Sequence, residues 1–275
     1  MTETRPVPAL GMPTLLETAQ LESCAALCRE LGLQFVELNM NLPQYQADRI
    51  DVRELLDAAR RYGIFYTIHL EETLNVSDWN PLVARAYRET VFRAVELAEA
   101  LGCPLLNMHL PNGVYFTLPD RKAYLFEEYR EQYLESLHSF REEYQRYAGD
   151  TGPRLCVENC GGYPAFQREA LEFLLESPAF GLTLDVGHSH AAGKTDEPFL
   201  QTHRDRLLHM HLHDGAGQQD HLPLGAGEIA LPRYLRLAEE RGCRIVLEIK
   251  TAAGLQRSAE WMKHYREEAG ERHCL

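Results

Sequence analysis

Four histidines fall within thirteen residues of the segment LLHMHLHDGAGQQDHLPLGAGEI, which runs from Leu207 to Ile229: His209, His211, His213 and His221. Asp214 and Asp220 stand among them. Imidazole nitrogens and carboxylate oxygens are the donors a divalent cation takes. The same residues also suit a polar strand end running into a polar loop, and the segment alone does not decide. Residues of the same kind recur along the chain at Glu37, His69, His109, Glu158, Asp185 and Glu248.

A repeated strand-then-helix pattern positions them. Short segments rich in Val, Ile, Leu and Phe alternate with longer amphipathic ones. The first strand, near Ala9–Met12, is the weakest. QFVELN (residues 34–39), FYTIHL, PLLNMHL, RLCVEN, GLTLDV, RLLHMHLH and RIVLEI supply seven more. The intervening segments carry helix punctuation. TAQLESCAALCRELG is closed by Gly32 and DVRELLDAARRYG by Gly63, while a long third helix has Pro81 near its start and Gly102 at its end. Helices favour proline and glycine at those places. The longest helix is predicted over residues 121–147, and a short one near 199–203.

Eight such units in 275 residues, without a linker or a shift in composition, predict one (β/α)8 TIM-barrel domain over residues 1–275. That fold takes roughly 250 residues. The rival, an open doubly wound sheet, usually opens with a glycine-rich first turn, and the chain has none.

Side chains alternate along a strand, so in a barrel one parity faces the interior. In LLHMHL, Leu208, Met210 and Leu212 share one parity and leave His209 and His211 on the other. RLCVE sets Leu155 and Val157 against Glu158; GLTLD sets Leu182 and Leu184 against Asp185; RIVLE sets Ile245 and Leu247 against Glu248. The same division isolates His109, His69 and Glu37 or Asn39. Seven successive strands thus place a polar residue on the interior parity at or near the C-terminal end, the face that carries active sites in such barrels. Carboxylates gathered there repel one another unless a cation lies between them. The pattern predicts a site for Mn, Co, Mg or Zn, with one ion as the leading expectation and up to three possible. His209 is expected one layer deeper, His213 and Asp214 at the rim, and Asp220 and His221 in a loop leaning over the site. His190 and His203 are expected at the surface.

Bulk composition narrows the classes. The formal net charge of −13 argues against a generic polyanion binder, which needs Lys and Arg for phosphate contacts. No apolar run approaches the ~20 residues of a membrane span. The opening MTETRPVPALGMP lacks the basic-then-apolar order of a secretory signal, which predicts a cytoplasmic protein. Seven cysteines with no CxxC predict neither a disulfide framework nor a zinc ribbon. Association into oligomers is left open.

The pieces VENCGG, LTLDVGHSHAAG, HMHLHDGAGQQDHLPLGAGEI and VLEIK together resemble the xylose-isomerase-like TIM-barrel superfamily, which holds sugar isomerases and epimerases and also endonuclease IV. The resemblance spans nearly the whole chain. It implies that Glu158, Asp185, His211 and Glu248 hold one divalent ion, that Glu158 and Glu248 double as acid and base, and that His188 contacts substrate. Unlike ketose 3-epimerases, the chain has no Arg in DGAGQQ after the seventh strand. The endonuclease IV side of the resemblance implies a multi-zinc phosphodiesterase acting on abasic DNA, with His69, His109, His188, Asp220 and His221 as further ligands. The leading expectation is a metal-dependent isomerase or epimerase of a small carbohydrate, working by proton abstraction beside a polarised carbonyl. Trp79, Tyr115, Phe116, Tyr163 and Phe166 are candidate substrate walls. Lys250 and the backbone of Gly225–Glu228 are candidate phosphate contacts.

Overall fold

The structure, a computed structural model, describes residues 7–18 and 20–272. Eight parallel strands close a barrel: β1 (Leu10–Pro13), β2 (Phe35–Asn39), β3 (Phe65–His69), β4 (Leu105–His109), β7 (Arg154–Glu158), β8 (Phe180–Asp185), β9 (Leu207–Leu212) and β12 (Arg244–Leu247). They neighbour one another in chain order, and β12 pairs with β1 to close the ring. The chain is a single-domain TIM barrel, with every predicted strand present to within a residue or two. Two small hairpins decorate the C-terminal side: β5 (Tyr115–Thr117) with β6 (Lys122–Tyr124), and β10 (Asp214–Ala216) with β11 (Gln219–Leu222).

Local chemistry sets the helix ends. Asp51 accepts from the Arg53 N–H at 2.8 Å and caps α2 (Val52–Tyr62), which stops at Gly63 in the left-handed region. Asn80 caps α3 (Pro81–Leu101), with Pro81 in its first turn and Gly102 left-handed at its end. Capping of this kind satisfies backbone groups that a helix terminus leaves bare.

The predicted helix over 121–147 is corrected. Its first residues form strand β6 and a single turn, α4 (Leu125–Glu128), and only α5 (Arg130–Ala148) continues as a long helix. The reason is local: Lys122–Tyr124 pairs antiparallel with Tyr115–Thr117 across the Pro119–Asp120 turn, and Tyr129, at φ −113 and ψ 46, interrupts the helix.

On the outward parity of the barrel strands, Val36, Ile68, Leu106, Leu182 and Met210 are fully buried under the helices. Each such side chain stabilises the fold by about 1.5–3 kcal/mol relative to exposure. The inward parity is mostly polar toward the C-terminal ends of the strands. Glu37, Thr67, Asn107, Thr183 and His209 form a buried layer beneath the mouth. Cys24, Cys28, Cys103, Cys156 and Cys243 are buried free thiols and Cys160 is an exposed one; Cys274 lies outside the described residues. Among the described residues no helix is long and apolar enough to cross a membrane.

Candidate metal centre

The barrel brings four of the sequence-predicted residues to one point. One donor atom each from Glu158, Asp185, His211 and Glu248 lies within 4.8 Å of the others, and all four residues are buried. The register explains it: Asp185 pairs with His211, and His211 with Val246, two residues before Glu248. Strand ends adjacent around the ring thus point the same way. His211 Nδ1 sits at the focus, 3.0 Å from Glu248 Oε2, 3.3 Å from Glu158 Oε1 and 3.9 Å from Asp185 Oδ2.

The layer beneath holds these groups in place. His211 Nε2 lies 2.8 Å from Glu37 Oε1, which leaves Nδ1 turned to the centre. Glu37 Oε2 accepts from His209 Nε2 at 2.8 Å and from Thr67 Oγ1 at 3.0 Å. Glu37 thus backs the four central donors and groups with His209 and His211, and His209 lies one layer deeper, as its position in the strand predicts. Asn39, the alternative on β2, accepts the Asn41 N–H in a turn instead. Thr183 donates to Asn107 at 2.6 Å, and Asn107 in turn donates to Glu158 Oε2.

Two further groups flank the four. His69 and His109 each place Nε2 at 3.3 Å from Glu158 Oε2. His69 Nδ1 lies 2.7 Å from the Leu70 carbonyl, which can only accept. In a neutral His69 the Nε2 lone pair therefore meets a carboxylate oxygen, a contact that needs a proton or a cation between the two atoms. On the other side, His188, His213 and His221 gather. His221 Nδ1 bonds Asp220 at 2.9 Å, and its Nε2 lies 3.6 Å from Glu248 Oε1. His188 Nε2 lies 3.8 Å from Asp220 Oδ2. The loop pair thus leans over the site from hairpin β10–β11.

The electrostatics call for positive charge at the focus. Burial alone would raise the Glu158 and Glu248 carboxyls, yet the facing His211 imidazole outweighs it and holds both well below the usual carboxylate range. Burial would lower His211, and the surrounding Glu158, Glu37 and Glu248 carboxylates instead lift it well above 6.5. His69 follows the same logic: burial lowers it, Glu158 overcomes this, and it reaches about 9. Buried polar atoms without a hydrogen-bond partner include His211 Nδ1, His188 Nδ1, His109 Nε2, His221 Nε2 and Glu248 Oε2. Buried polar atoms are normally satisfied. Orphans converging with three carboxylates fit a divalent cation, for which carboxylate oxygen and imidazole nitrogen are suitable donors.

Other expectations are relocated. His213 and Asp214 are not at the rim; both are buried. His213 Nε2 reaches Asp185 Oδ1 at 3.0 Å, and Nδ1 accepts the His221 N–H at 2.7 Å. The donated N–H meets the Nδ1 lone pair, and the Asp214 carbonyl lies farther from Nδ1, at 3.4 Å. The signal for His213 was present in the sequence, since it continues the parity of His209 and His211. Asp214 accepts backbone N–H groups from Gly215, Gly225, Gly227 and Ile229 at 2.9–3.1 Å. The N–H groups of Ala226 and Glu228 bond the carbonyls of Pro223 and Gly215. The Gly225–Glu228 turn therefore has no backbone donor to spare for a phosphate. Lys250 Nζ lies 2.6 Å from Glu248 Oε1, and its side chain is half exposed.

Of the aromatic candidates, Trp79 packs on Phe126 and Tyr129 and lines a groove between α3 and α5. Tyr115 lies on the first hairpin against Tyr124, with Phe116 exposed beside it. Tyr163 is buried against Phe199, and Phe166 against Tyr124 and Tyr133. His190 and His203 are partly buried, beside Glu228 and on Phe199. Composition did not single out Asn159 or Asp196. Asn159 Oδ1 accepts the Asp185 N–H at 2.7 Å, and its amide donates to the Asp185 carbonyl and to buried Asp196. This pair ties the ends of β7 and β8 together.

A (β/α)8 barrel whose C-terminal mouth gathers buried imidazoles and carboxylates defines the class. The chain belongs to the xylose isomerase-like TIM barrel family, whose sequence profile matches residues 25–265. It is 27% identical over 234 residues to the uncharacterized protein MJ1311 of Methanocaldococcus jannaschii, covering 81% of this chain and 77% of that one. Its fold is similar to that of a D-tagatose 3-epimerase-like protein, with a TM-score of 0.77 at 24% identity over 96% of this chain and 99% of the other. It is also similar to D-allulose 3-epimerase from Methylomonas sp., with a TM-score of 0.67 at 15% identity over 94% and 97% of the two chains.

Proposed function

We propose that this chain is a divalent-metal-dependent sugar or sugar-phosphate isomerase or epimerase. The observation that carries the reading is the placement of Glu158 and Glu248 at 3.3 and 3.0 Å from His211 Nδ1, in a buried set of four donors within 4.8 Å of one another. Glu158, Asp185, His211 and Glu248 would hold one Mn, Co, Mg or Zn ion. When bound, such an ion supplies Lewis-acid polarisation of a substrate carbonyl or hydroxyl oxygen. One glutamate takes the proton from the carbon beside that carbonyl, and the other returns it. Return to the opposite face of the same carbon is epimerisation; return to the neighbouring carbon is isomerisation. His188, partly exposed beside Asp185 and Asp220, is placed to hydrogen-bond a substrate oxygen. A D-tagatose 3-epimerase-like protein and a D-allulose 3-epimerase among the similar folds support a carbohydrate substrate.

The test is metal content followed by proton exchange. Protein purified without chelator should carry about one divalent ion per chain, on the reading that one ligand set is filled. Incubated in deuterium oxide with a panel of ketoses, it should wash deuterium into the carbon next to the carbonyl. A metal-loaded protein that exchanges no proton with any ketose or ketose phosphate would sink the reading.

One observation favours a second reading. His69 and His109 on one flank, and His188, Asp220 and His221 on the other, extend the central set into a row of donors. Such a row suits a multi-zinc phosphodiesterase acting on abasic DNA. About three zinc ions per chain, with cleavage of an abasic duplex, would establish it over the isomerase.

A further inference from the structure

We propose that His213 is the positioning residue of this centre: an imidazole that orients Asp185 with one nitrogen, fixes the β10–β11 hairpin with the other, and is not itself a ligand. The proposal rests on the metal-centre reading above.

Four observations converge on it. His213 is fully buried, one residue past the end of β9, and both of its nitrogens are engaged. The His221 N–H, which can only donate, points at Nδ1 from 2.7 Å. Nε2 is therefore the nitrogen that donates, to the Asp185 carboxylate, 3.0 Å from Oδ1 and 3.2 Å from Oδ2. Oδ1 also accepts the His188 N–H at 2.7 Å, while Oδ2 lies 3.4 Å from His188 Nδ1 and 3.9 Å from His211 Nδ1. The surroundings are shaped around the ring: a Cβ placed on Gly187 would lie 1.9 Å from His213 Cε1. Finally, His221 is held at φ 52, a backbone conformation that residues with a Cβ seldom adopt, with its ring stacked on His213 at 4.2 Å and 5° between planes. Non-glycine residues held in this region mark places where surrounding structure over-determines the conformation, and these cluster at functional sites.

The consequence is specific. The three imidazoles of His188, His213 and His221 lie close enough to suggest a three-histidine cation site, but both His213 nitrogens are already engaged, by the Asp185 carboxylate and by the His221 N–H. Any cation on that flank would have His188, His221 and Asp220 as its protein donors. His213 instead transmits position: it couples the orientation of Asp185 to the hairpin that carries Asp220 and His221.

The two bonds can be separated by substitution. Gln places an N–H where Nε2 stood but no acceptor at Nδ1; Asn places an oxygen where Nδ1 stood but no N–H that reaches Asp185. In the full-length protein, zinc or manganese affinity by calorimetry should stay within about threefold of the parent in His213→Gln. It should fall roughly 10–100-fold in His213→Asn and His213→Ala, the cost of losing an outer partner of a ligand. Amide exchange over residues 219–222, measured without metal, should show the reverse order: parent-like in His213→Asn, and about tenfold faster or more in His213→Gln and His213→Ala. Both readouts falling together in every variant would reduce His213 to a packing residue and overturn the proposal, as would parent-like values throughout. Nitrogen-15 spectra of histidine-labelled, metal-free parent protein give an arm that needs no variant. They should show an unprotonated Nδ1 and a protonated Nε2 for His213, and a protonated Nδ1 would overturn the assignment. If the parent binds no divalent metal, the isomerase reading fails, while the spectra and amide exchange still judge the His213 geometry.

Discussion

Gly187 and His213 share one space: the imidazole of the second fills the volume that a side chain on the first would need, with an ideal Cβ only 1.9 Å from Cε1. Gly187 follows Asp185 by two residues and lies in the short helix α7 (Val186–Ala191), so the requirement comes from the ring rather than from the backbone. Gly187→Ala is expected to force His213 aside. Overpacking of this kind costs about 1–3 kcal/mol. Urea unfolding should show that loss, together with weaker zinc binding. Parent-like values in both would mean that the ring has room to move.

Glu37 backs His211 and His209 from a fully buried position. Glu37→Gln keeps its shape and removes its charge. Breaking a buried pair on one side typically costs about 3–5 kcal/mol, and loss of an outer partner lowers metal affinity roughly 10–100-fold. Both should be visible, by unfolding and by calorimetry, although Glu37 is one layer from the four central donors. A variant that loses stability but keeps full affinity would limit Glu37 to the architecture.

Glu158→Gln and Glu248→Gln test the acid–base assignment. At saturating metal each should lower turnover by about 10²–10⁴-fold, the usual contribution of such a group. Deuterium wash-in should fall with it, while KM changes little. A drop that is repaired in full by adding more metal would mean that the glutamates only hold the ion.

Asp214 gathers four backbone N–H groups, three of them from residues eleven to fifteen positions later. Hydrogen bonds to a charged acceptor contribute about 1.5–3 kcal/mol each. Asp214→Ala should therefore accelerate amide exchange at Gly225, Gly227 and Ile229, with a stability loss of about 2 kcal/mol or more. Unchanged exchange at those three amides would show that the turn is held by other contacts.

The metal-free protein should become less stable as pH rises. Burial lowers the His69 pKa, but Glu158 overcomes it and lifts the folded value to about 9, above the ordinary 6.5. A group raised in this way contributes fully below 6.5 and loses its contribution as pH climbs through about 9. Melting temperatures of chelated protein should fall across that window. With a divalent ion in place the cation replaces the proton, and the slope should flatten. A chelated protein with a flat profile would contradict the assignment.

How much of this was legible in the chain can be traced residue by residue. Alternation is a property of the extended backbone, so His211 and Met210 had to face opposite sides whatever surrounds them. Repeated in phase on successive strands, it put Glu158, Asp185, His211 and Glu248 on the inner face before any contact was known. Proline and glycine punctuation did the same for α2 and α3, because capping is also local. Other features depended on groups far apart in sequence. Residues 121–124 read as helix, yet pair as a strand with Tyr115–Thr117. Asp214 reads as a rim carboxylate, yet is buried by the turn whose amides it binds. His213 carries the inner parity, but its two roles exist only because the Asp185 turn and the His221 backbone meet it from opposite sides. The sequence determined which way each strand residue points, because covalent geometry sets that within a few bonds. Only the tertiary structure decided which nitrogen, oxygen or amide each group meets, because those partners arrive from other strands and loops.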